Sequence, residues 1–79
     1  MKNIWITGAS SGIGKSLALK FAKEGWQVAA SARRENLLKE LSELNNNISS
    51  FPLDVTNVEK CKEIFEQIKN KYQYFQICL

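Results

Sequence analysis

Histidine is absent from this 79-residue sequence, and there are only two cysteines. Without histidine, neither a Ser-His nor a Cys-His nucleophile pair can form, and the usual zinc ligand sets cannot be assembled. Cys61 and Cys78 are too few for a disulfide framework, so we expect reduced thiols and a cytoplasmic protein. We therefore predict no metal site.

Long apolar runs and clustered charges are missing as well. No stretch approaches the roughly 18 apolar residues of a membrane-spanning helix, and residues 1–3 lead into an apolar segment without a signal-peptide core. The net charge is only +3, and the lysines are scattered instead of forming a basic run interleaved with aromatic residues. We therefore expect neither a membrane nor a nucleic acid as a partner.

The chain is long enough for one small domain. Apolar residues make up 44% of it and charged residues 24%, which is ordinary for a globular protein. A chain of this size buries only about 60% of the surface that it exposes when unfolded. We therefore expect marginal stability unless a ligand or a partner adds to it.

Short apolar segments alternate with segments of helical spacing. We predict strands over residues 2–7, 26–32, 48–53 and 74–79, with one helix in each interval between them. Alternation at this rhythm predicts parallel strands joined by right-handed crossovers. The predicted fold is α/β, a Rossmann-type three-layer αβα arrangement with the incomplete element order βαβαβαβ and the strand order 3-2-1-4. In that order the turn after the first strand lies at the switch point of the sheet.

Each predicted helix has an apolar face, and two of them have an end signal. The faces comprise Ile13, Leu17 and Phe21 with Ala18 and Ala22 in the first helix, Leu37, Leu41 and Leu44 with Leu38 in the second, and Val58, Cys61, Phe65, Ile68 and Tyr72 in the third. Gly25 is a candidate left-handed cap for the first helix. Thr56, with Glu59 three residues later, predicts a capping box for the third.

Residues 7–14 read Thr-Gly-Ala-Ser-Ser-Gly-Ile-Gly and connect the first strand to the first helix. Gly8, Gly12 and Gly14 lack a Cβ, which permits positive φ, close approach of the backbone to a pyrophosphate and tight packing of the helix on the strand. The amides at the start of the helix then face the anion, and the helix dipole favours it. The turn predicts a phosphate site; the alternative is a turn that only connects strand and helix.

The spacing Gly-x-x-x-Gly-x-Gly matches neither the G-x-G-x-x-G fingerprint nor a Walker loop. It resembles the cofactor loop of the short-chain dehydrogenase/reductase family, Thr-Gly-x-x-x-Gly-x-Gly, and the resemblance covers the whole chain. It implies a dinucleotide cofactor and, in the full-length family, hydride transfer between NADP and an alcohol or carbonyl substrate. The loop residues expected to bind the cofactor are Gly8, Ser10, Ser11, Gly12, Ile13 and Gly14.

Arg33 and Arg34 follow the second predicted strand, about 20 residues past the glycine loop, where a dinucleotide site reads the adenosine ribose. Guanidinium groups there favour the 2′-phosphate of NADP through forked, charge-assisted hydrogen bonds. In the family that the chain resembles, the acidic residue that selects NAD falls at the position of Ala32 and the phosphate-binding arginine at Arg33. We predict NADP, with NAD the less favoured cofactor; the alternative is that both arginines are solvated turn residues.

Asp54 and Val55 end the third predicted strand, at the carboxyl edge where such sheets bind ligands. The resemblance implies that an Asp here accepts a hydrogen bond from the adenine amino group and that the apolar residue after it packs on the ring. The equally weighted alternative is that Asp54 only caps the following helix.

The family's catalytic serine, its Tyr-x-x-x-Lys motif and its Asn-Asn-Ala-Gly segment do not occur in this sequence. Tyr72 is followed four places on by Gln76, and Tyr74 by Cys78, so we assign no catalytic residue and leave open whether the chain is an enzyme. We expect residues 1–79 to be the amino-terminal part of a dinucleotide-binding domain, truncated after strand four and inactive alone. A bare fourth strand would invite self-association. The alternative function is a stand-alone nucleotide-binding or interaction module without redox activity.

Overall fold

The computed structural model of the chain describes residues 2–78, and its element order confirms the predicted alternation. The elements are β1 (Asn3–Thr7), α1 (Gly12–Lys23), β2 (Gln27–Ser31), α2 (Glu35–Leu44), β3 (Ile48–Ser50), α3 (Val58–Tyr72) and β4 (Gln76–Cys78). The third and fourth strands are shorter than predicted. Leu79, which the prediction placed in the fourth strand, lies outside the described residues.

The four strands form one parallel sheet in the predicted order β3-β2-β1-β4. Backbone pairing continues past the regular end of β3, because the Phe51 amide donates to the Ala30 carbonyl at 2.8 Å and the Leu53 amide to the Ala32 carbonyl at 2.9 Å. Pro52 lies between these two donors, at a position of the edge strand where its missing N–H interrupts no bond to β2. The segment up to Leu53 therefore extends the sheet as the sequence predicted, although only Ile48–Ser50 is regular strand.

Helices cover both faces of the sheet. On one face α1 and α2 pack over Ile4, Ile6, Val28 and Ala30. On the other face α3 packs over Trp5, Ala29 and Leu53. Successive residues of β1 thus point into different layers, and its first four residues are buried, which explains the continuous apolar run Ile4-Trp5-Ile6.

The predicted apolar faces of the first two helices are wrong at their ends. Ile13 is 80% exposed and Leu44 is 63% exposed, whereas Ala18 and Ala22 of α1 and Leu38 and Leu41 of α2 are buried. Ile13 belongs to the first turn of its helix and Leu44 to the last. Because a helix end projects past the strand beneath it, a residue there can follow the apolar period without reaching the core.

The predicted face of α3 is confirmed at Ile68 and Tyr72 and wrong at Val58 and Phe65. Ile64, Ile68 and Tyr72 are buried, whereas Val58 and Phe65 are exposed. A row at spacing four through Ile64 and a row through Phe65 differ by only one residue, or about 100° around the helix axis. The sequence contains both rows, and packing against the sheet selects the one that includes Ile64.

The predicted capping box at the start of α3 is also wrong. Asn57 is the N-cap, and its Oδ1 accepts a hydrogen bond from the Lys60 amide at 3.1 Å. The Thr56 hydroxyl instead donates to Asp54 at 2.7 Å. Thr56 is thus engaged in the preceding turn, and the next residue with a side-chain acceptor caps the helix.

The left-handed cap of α1 at Gly25 is confirmed. Gly25 has a φ of +93°, its amide donates to the Ala22 carbonyl at 3.1 Å, and the Trp26 amide donates to the Phe21 carbonyl at 3.0 Å. This pair of bonds is a Schellman motif. The Phe21 and Trp26 rings pack edge to face with centroids 4.9 Å apart, which supplies the apolar contact that accompanies such motifs.

Candidate functional site

The three glycines of the loop between β1 and α1 have two different structural roles. Gly8 and Gly12 have φ values of +67° and +57°, in the left-handed region that residues with a Cβ rarely adopt. Gly14 has ordinary helical geometry, but a Cβ built on it would overlap the carbonyl oxygen of Gly8. Two glycines therefore shape the turn, and the third lets the first turn of α1 pack directly on it.

The start of α1 offers backbone donors without a side-chain cap. Ser11 is the N-cap, with extended backbone and no capping hydrogen bond from its hydroxyl. The Lys15 amide donates to the Ser11 carbonyl at 3.4 Å, so the amides of residues 12–14 precede the first bond of the helix ladder. Such amides have no acceptor within the helix, and together with the helix dipole they favour an anion.

A backbone hydrogen bond joins the glycine loop to the end of β2. The Ala9 amide donates to the Ser31 carbonyl at 3.1 Å, and Ala9 is fully buried. The Ser31 hydroxyl in turn accepts a hydrogen bond from Trp5 Nε1 at 2.8 Å inside the core. The exposed side chains of Arg33 and Arg34 follow directly after this anchored strand end. The loop and the two arginines are therefore held on neighbouring strands at one edge of the sheet.

Asp54 lies in the turn that leads to α3. Its Oδ1 accepts hydrogen bonds from the Thr56 hydroxyl at 2.7 Å and from the Thr56 amide at 2.9 Å. These two bonds lower the pKa of the Asp54 carboxyl; slight desolvation opposes the shift, and the charge of Arg33 adds to it. The alternative in which Asp54 only caps the next helix does not hold, because Asn57 is the cap. The second oxygen of an ionised Asp54 remains available as an acceptor.

These segments enclose an open cleft of about 500 Å³ at the carboxyl edge of the sheet. Seven of the ten predicted site residues line it, namely Gly8, Ser10, Ser11, Arg33, Arg34, Asp54 and Val55. Gly12, Ile13 and Gly14 are not among the lining residues. The cleft thus brings together three segments, from the carboxyl ends of β1, β2 and the β3 extension, that are far apart in the sequence.

Four further residues without a predicted binding role line the cleft: Ala32, Leu37, Leu53 and Thr56. The sequence predicts a core position for Leu37 and a helix cap for Thr56. Their position in the sequence could have indicated a place in the cleft. Both follow a predicted strand end within a few residues, and all such ends meet at one edge of a parallel sheet. Leu37 and Leu53 add apolar side chains to the lining of the cleft.

The lining of the cleft contains both positively charged side chains and a hydrogen-bond acceptor. Arg33 and Arg34 supply two guanidinium groups, which suit a phosphate, and Asp54 supplies a carboxylate oxygen for an N–H donor. Residues 2–78 contain no group of three or more cysteine, aspartate or glutamate side chains that could hold a metal ion. In the same part of the chain, no helix is long and apolar enough to cross a membrane.

Comparisons with known proteins agree with this geometry. A family model described as short chain dehydrogenase matches residues 2–78. The chain is 40% identical over 76 residues to 11-beta-hydroxysteroid dehydrogenase A of Sesamum indicum, covering 90% of this chain and 22% of that protein. It is 42% identical over 71 residues to the 3-oxoacyl-[acyl-carrier-protein] reductase FabG of Thermotoga maritima, covering 85% of this chain and 29% of that protein.

A solved structure of a short chain dehydrogenase has the same fold as this chain. The crystal structure of a short chain dehydrogenase from Bacillus anthracis superposes with a TM-score of 0.85 at 36% identity, covering 94% of this chain and 32% of that one. The chain therefore spans between about a fifth and a third of the length of these three proteins.

Proposed function

Because the chain belongs to the short-chain dehydrogenase family, whose members use an NAD(P) dinucleotide, we propose that residues 1–79 are the NADP(H)-binding part of such an oxidoreductase. The corresponding full-length reaction is hydride transfer between NADP and an alcohol or carbonyl substrate. Support for this substrate class comes from the names of two relatives, a hydroxysteroid dehydrogenase and an oxoacyl reductase. When bound, the nicotinamide ring would carry the hydride.

The observation that carries the proposal is the position of the two arginines in the same cleft as the glycine loop. An acidic side chain at the end of β2 would accept from the ribose 2′-hydroxyl of NAD, but this position holds the buried Ala32. Arg33 and Arg34 follow it and provide donors for a 2′-phosphate. Both features favour NADP over NAD because the 2′-phosphate is negatively charged. A carboxylate at this position would repel the phosphate, and the two guanidinium groups attract it.

We assign the binding roles as follows. The amides of residues 12–14, which include Ile13, and the hydroxyls of Ser10 and Ser11 bind the diphosphate at the helix start. Asp54 accepts a hydrogen bond from the adenine amino group, and the exposed side chain of Val55 packs on the adenine ring. The left-handed turns at Gly8 and Gly12 and the close approach at Gly14 fit a loop that must bring backbone against a bulky anion.

We further propose that the chain by itself does not catalyse hydride transfer. Neither tyrosine is followed by a lysine four residues later. Tyr72 is the last residue of α3 and is buried in the core, outside the cleft, and burial raises the pKa of its hydroxyl. Tyr74 lines a different surface depression. Neither hydroxyl is therefore placed to exchange a proton with a substrate bound beside the cofactor.

Two more properties complete the proposal. A cytoplasmic location fits two cysteines that are both free thiols. Association between copies through the open edge of β4 fits the exposure of Ile77. The same exposure favours the second candidate function, an interaction module without redox chemistry, which would not require cofactor binding.

Calorimetric titration of the chain with NADP and NAD tests the proposed function. We expect NADP to bind at least tenfold more tightly, because each charge-assisted hydrogen bond to the phosphate contributes about 1.5–3 kcal/mol. Amide shifts in a ¹H–¹⁵N spectrum should be concentrated in residues 8–14, 33–34 and 54–55. A folded chain that binds neither dinucleotide at millimolar concentration would contradict the proposal and favour the interaction module.

A further inference from the structure

The turn that connects the β3 extension to α3 is closed by its own hydrogen bonds. The Asn57 amide donates to the Asp54 carbonyl at 2.9 Å, and the Asp54 side chain accepts from both the hydroxyl and the amide of Thr56. Each of these bonds joins residues that are close in the sequence, and all three residues are exposed. The turn therefore has a defined shape without support from the core.

Contacts on both sides hold this turn in the fold. The Leu53 amide donates to the Ala32 carbonyl at 2.9 Å, which ties the start of the turn to the end of β2. On the other side, the Val55 carbonyl accepts a hydrogen bond from Cys61 Sγ at 3.6 Å, which ties the turn to α3. Asp54 and Val55 thus line the cleft from a pre-formed turn, and binding of a ligand there requires little ordering of the chain.

The two bonds that Thr56 donates both go to the same oxygen of Asp54, which is Oδ1. An ionised carboxylate only accepts hydrogen bonds, so Oδ2 is the oxygen that is left for a ligand. The bonds from Thr56 also hold the pKa of the Asp54 carboxyl below its usual value, so the group has no proton to donate at neutral pH. Thr56 therefore leaves Asp54 with one oriented acceptor.

We propose that Thr56 is a positioning residue that selects the base of the dinucleotide, because it holds Asp54 so that Oδ2 accepts only from a donor at position 6 of the purine. This inference rests on the proposed function, in which Asp54 accepts from the adenine amino group. A base with a carbonyl oxygen at position 6 would set one acceptor against another, and neither would be satisfied. The cleft should therefore favour adenine over a 6-oxopurine.

The other binding groups of the cleft do not distinguish these bases. Adenine and hypoxanthine have the same fused rings, so an apolar contact with Val55 is equally available to both. Arg33 and Arg34 were assigned to the 2′-phosphate and the glycine loop to the diphosphate, and both phosphate groups are the same in the two dinucleotides. A difference in affinity between them therefore reports on Asp54 and on the residue that orients it.

Calorimetric titration with NADP and with its deamino analogue, nicotinamide hypoxanthine dinucleotide phosphate, tests the inference. In the wild type we expect NADP to bind about tenfold more tightly, because one hydrogen bond to a charged acceptor is lost in the analogue. Thr56→Val keeps the shape of the side chain but removes its hydroxyl, and should reduce this ratio at least threefold. Thr56→Ser keeps the hydroxyl and should retain the wild-type ratio.

Ser42→Ala is the matched control. The Ser42 hydroxyl also donates at 2.8 Å, to the Lys39 carbonyl, but it lies on α2 outside the cleft, so its loss should leave the ratio unchanged. A wild-type ratio in Thr56→Val, or an equal loss in Thr56→Ser, would overturn the inference while the proposed function stands. A folded wild-type chain that binds neither dinucleotide would overturn both.

The carbon resonance of the Asp54 carboxyl gives a second readout, which needs no dinucleotide. Its titration should give a higher pKa in Thr56→Val than in the wild type, because the bond from the Thr56 hydroxyl contributes most to the lowered pKa. Thr56→Ser should titrate as the wild type does. The same pKa in all three chains would show that the hydroxyl does not bind the carboxylate in solution, and would overturn the inference.

Discussion

Arg33 and Arg34 are the residues on which the proposed preference for NADP depends. Both are exposed and line the cleft, and neither forms an ion pair within residues 2–78. A solvated arginine that makes no salt bridge loses no partner when it turns toward a ligand. Their side chains therefore remain free to contact a 2′-phosphate.

Exchanging the first arginine for an acidic residue should reverse the preference. In Arg33→Asp the carboxylate repels a 2′-phosphate and accepts from a 2′-hydroxyl, so we expect NADP affinity to fall at least tenfold and NAD affinity to rise. Lys39→Asp makes the same change of charge on an exposed part of α2 outside the cleft. Titration of both variants with both dinucleotides separates a local effect from one of net charge. Unchanged relative affinity in Arg33→Asp would argue against the assignment.

Gly14→Ala tests the close contact between α1 and the loop. In a helix interior, alanine is usually favoured over glycine by about 1 kcal/mol. Here the new Cβ would meet the Gly8 carbonyl oxygen, and displacing backbone costs more than the propensity gain. We therefore expect a lower Tm and weaker NADP binding.

Ser16→Ala is the control for that substitution. Ser16 is an exposed residue of the same helix, so the gain in helix propensity should appear without a clash, as an unchanged or slightly higher Tm. Thermal unfolding followed by circular dichroism measures both variants. If Gly14→Ala were as stable as Ser16→Ala, the loop would have room that the structure does not show.

At the scale of elements, the order and direction of strands and helices could be predicted from the sequence, because apolar spacing and parallel-sheet rules depend on many residues at once. The residue that caps a helix and the exact face that a helix buries could not be predicted, because each depends on the contacts of a single residue. Three residues with side-chain acceptors, Asp54, Thr56 and Asn57, precede α3. The first two bind each other, and the bond from the Lys60 amide to Asn57 shows that the third is the cap. Ile64 and Phe65 likewise compete for the buried face, and packing decides between them.

The place of the cleft could be predicted to a similar degree, whereas binding of a cofactor by its residues stays a prediction. The rule that parallel strands end at one edge was enough to bring the glycine loop together with Arg33 and Asp54. It did not separate residues that line the cleft from those that support it. Gly14 belongs to the second kind, because its lack of a side chain serves the fit of α1 on the loop.

The N-cap of α3 is open to a direct test. Asn57→Ala removes the acceptor for the Lys60 amide and should cost about 1 kcal/mol of the free energy of unfolding. Asn57→Asp keeps an acceptor and adds a charge that the helix dipole favours, so it should retain the stability of the wild type. Urea denaturation of the two variants measures the difference. Equal losses in both would mean that the cap contributes nothing.

On the scale of the whole molecule, we expect a small free energy of unfolding for a chain with two core layers on a four-stranded sheet. Small domains bury a modest part of their surface, and here Leu44, Val58 and Tyr74 remain exposed as well. Ligand binding should therefore have a large effect on folding. Ala32 and Leu53 belong both to the lining of the cleft and to the core, so a ligand that orders the cleft should also stabilise the core.

Addition of NADP should raise the Tm of the chain. A ligand that binds only the folded state adds about 2.7 kcal/mol at a concentration of 100 times its Kd, which is a large share of the stability expected for so small a domain. NAD at the same concentration should raise the Tm less. Differential scanning fluorimetry with both dinucleotides measures this, and the Arg33→Asp variant should show the reverse order.

The indole of Trp5 lies where its fluorescence could report on two parts of the molecule. Its Nε1 donates to Ser31, whose carbonyl accepts from Ala9 of the glycine loop, and its ring centroid is 6.4 Å from each of the Phe65 and Phe75 rings beside β4. Trp5 is thus linked both to the strand end beside the cleft and to the aromatic side chains beside β4. The chain also contains Trp26, so a Trp26→Phe variant would isolate the emission of Trp5, whose wavelength should respond to events at either place.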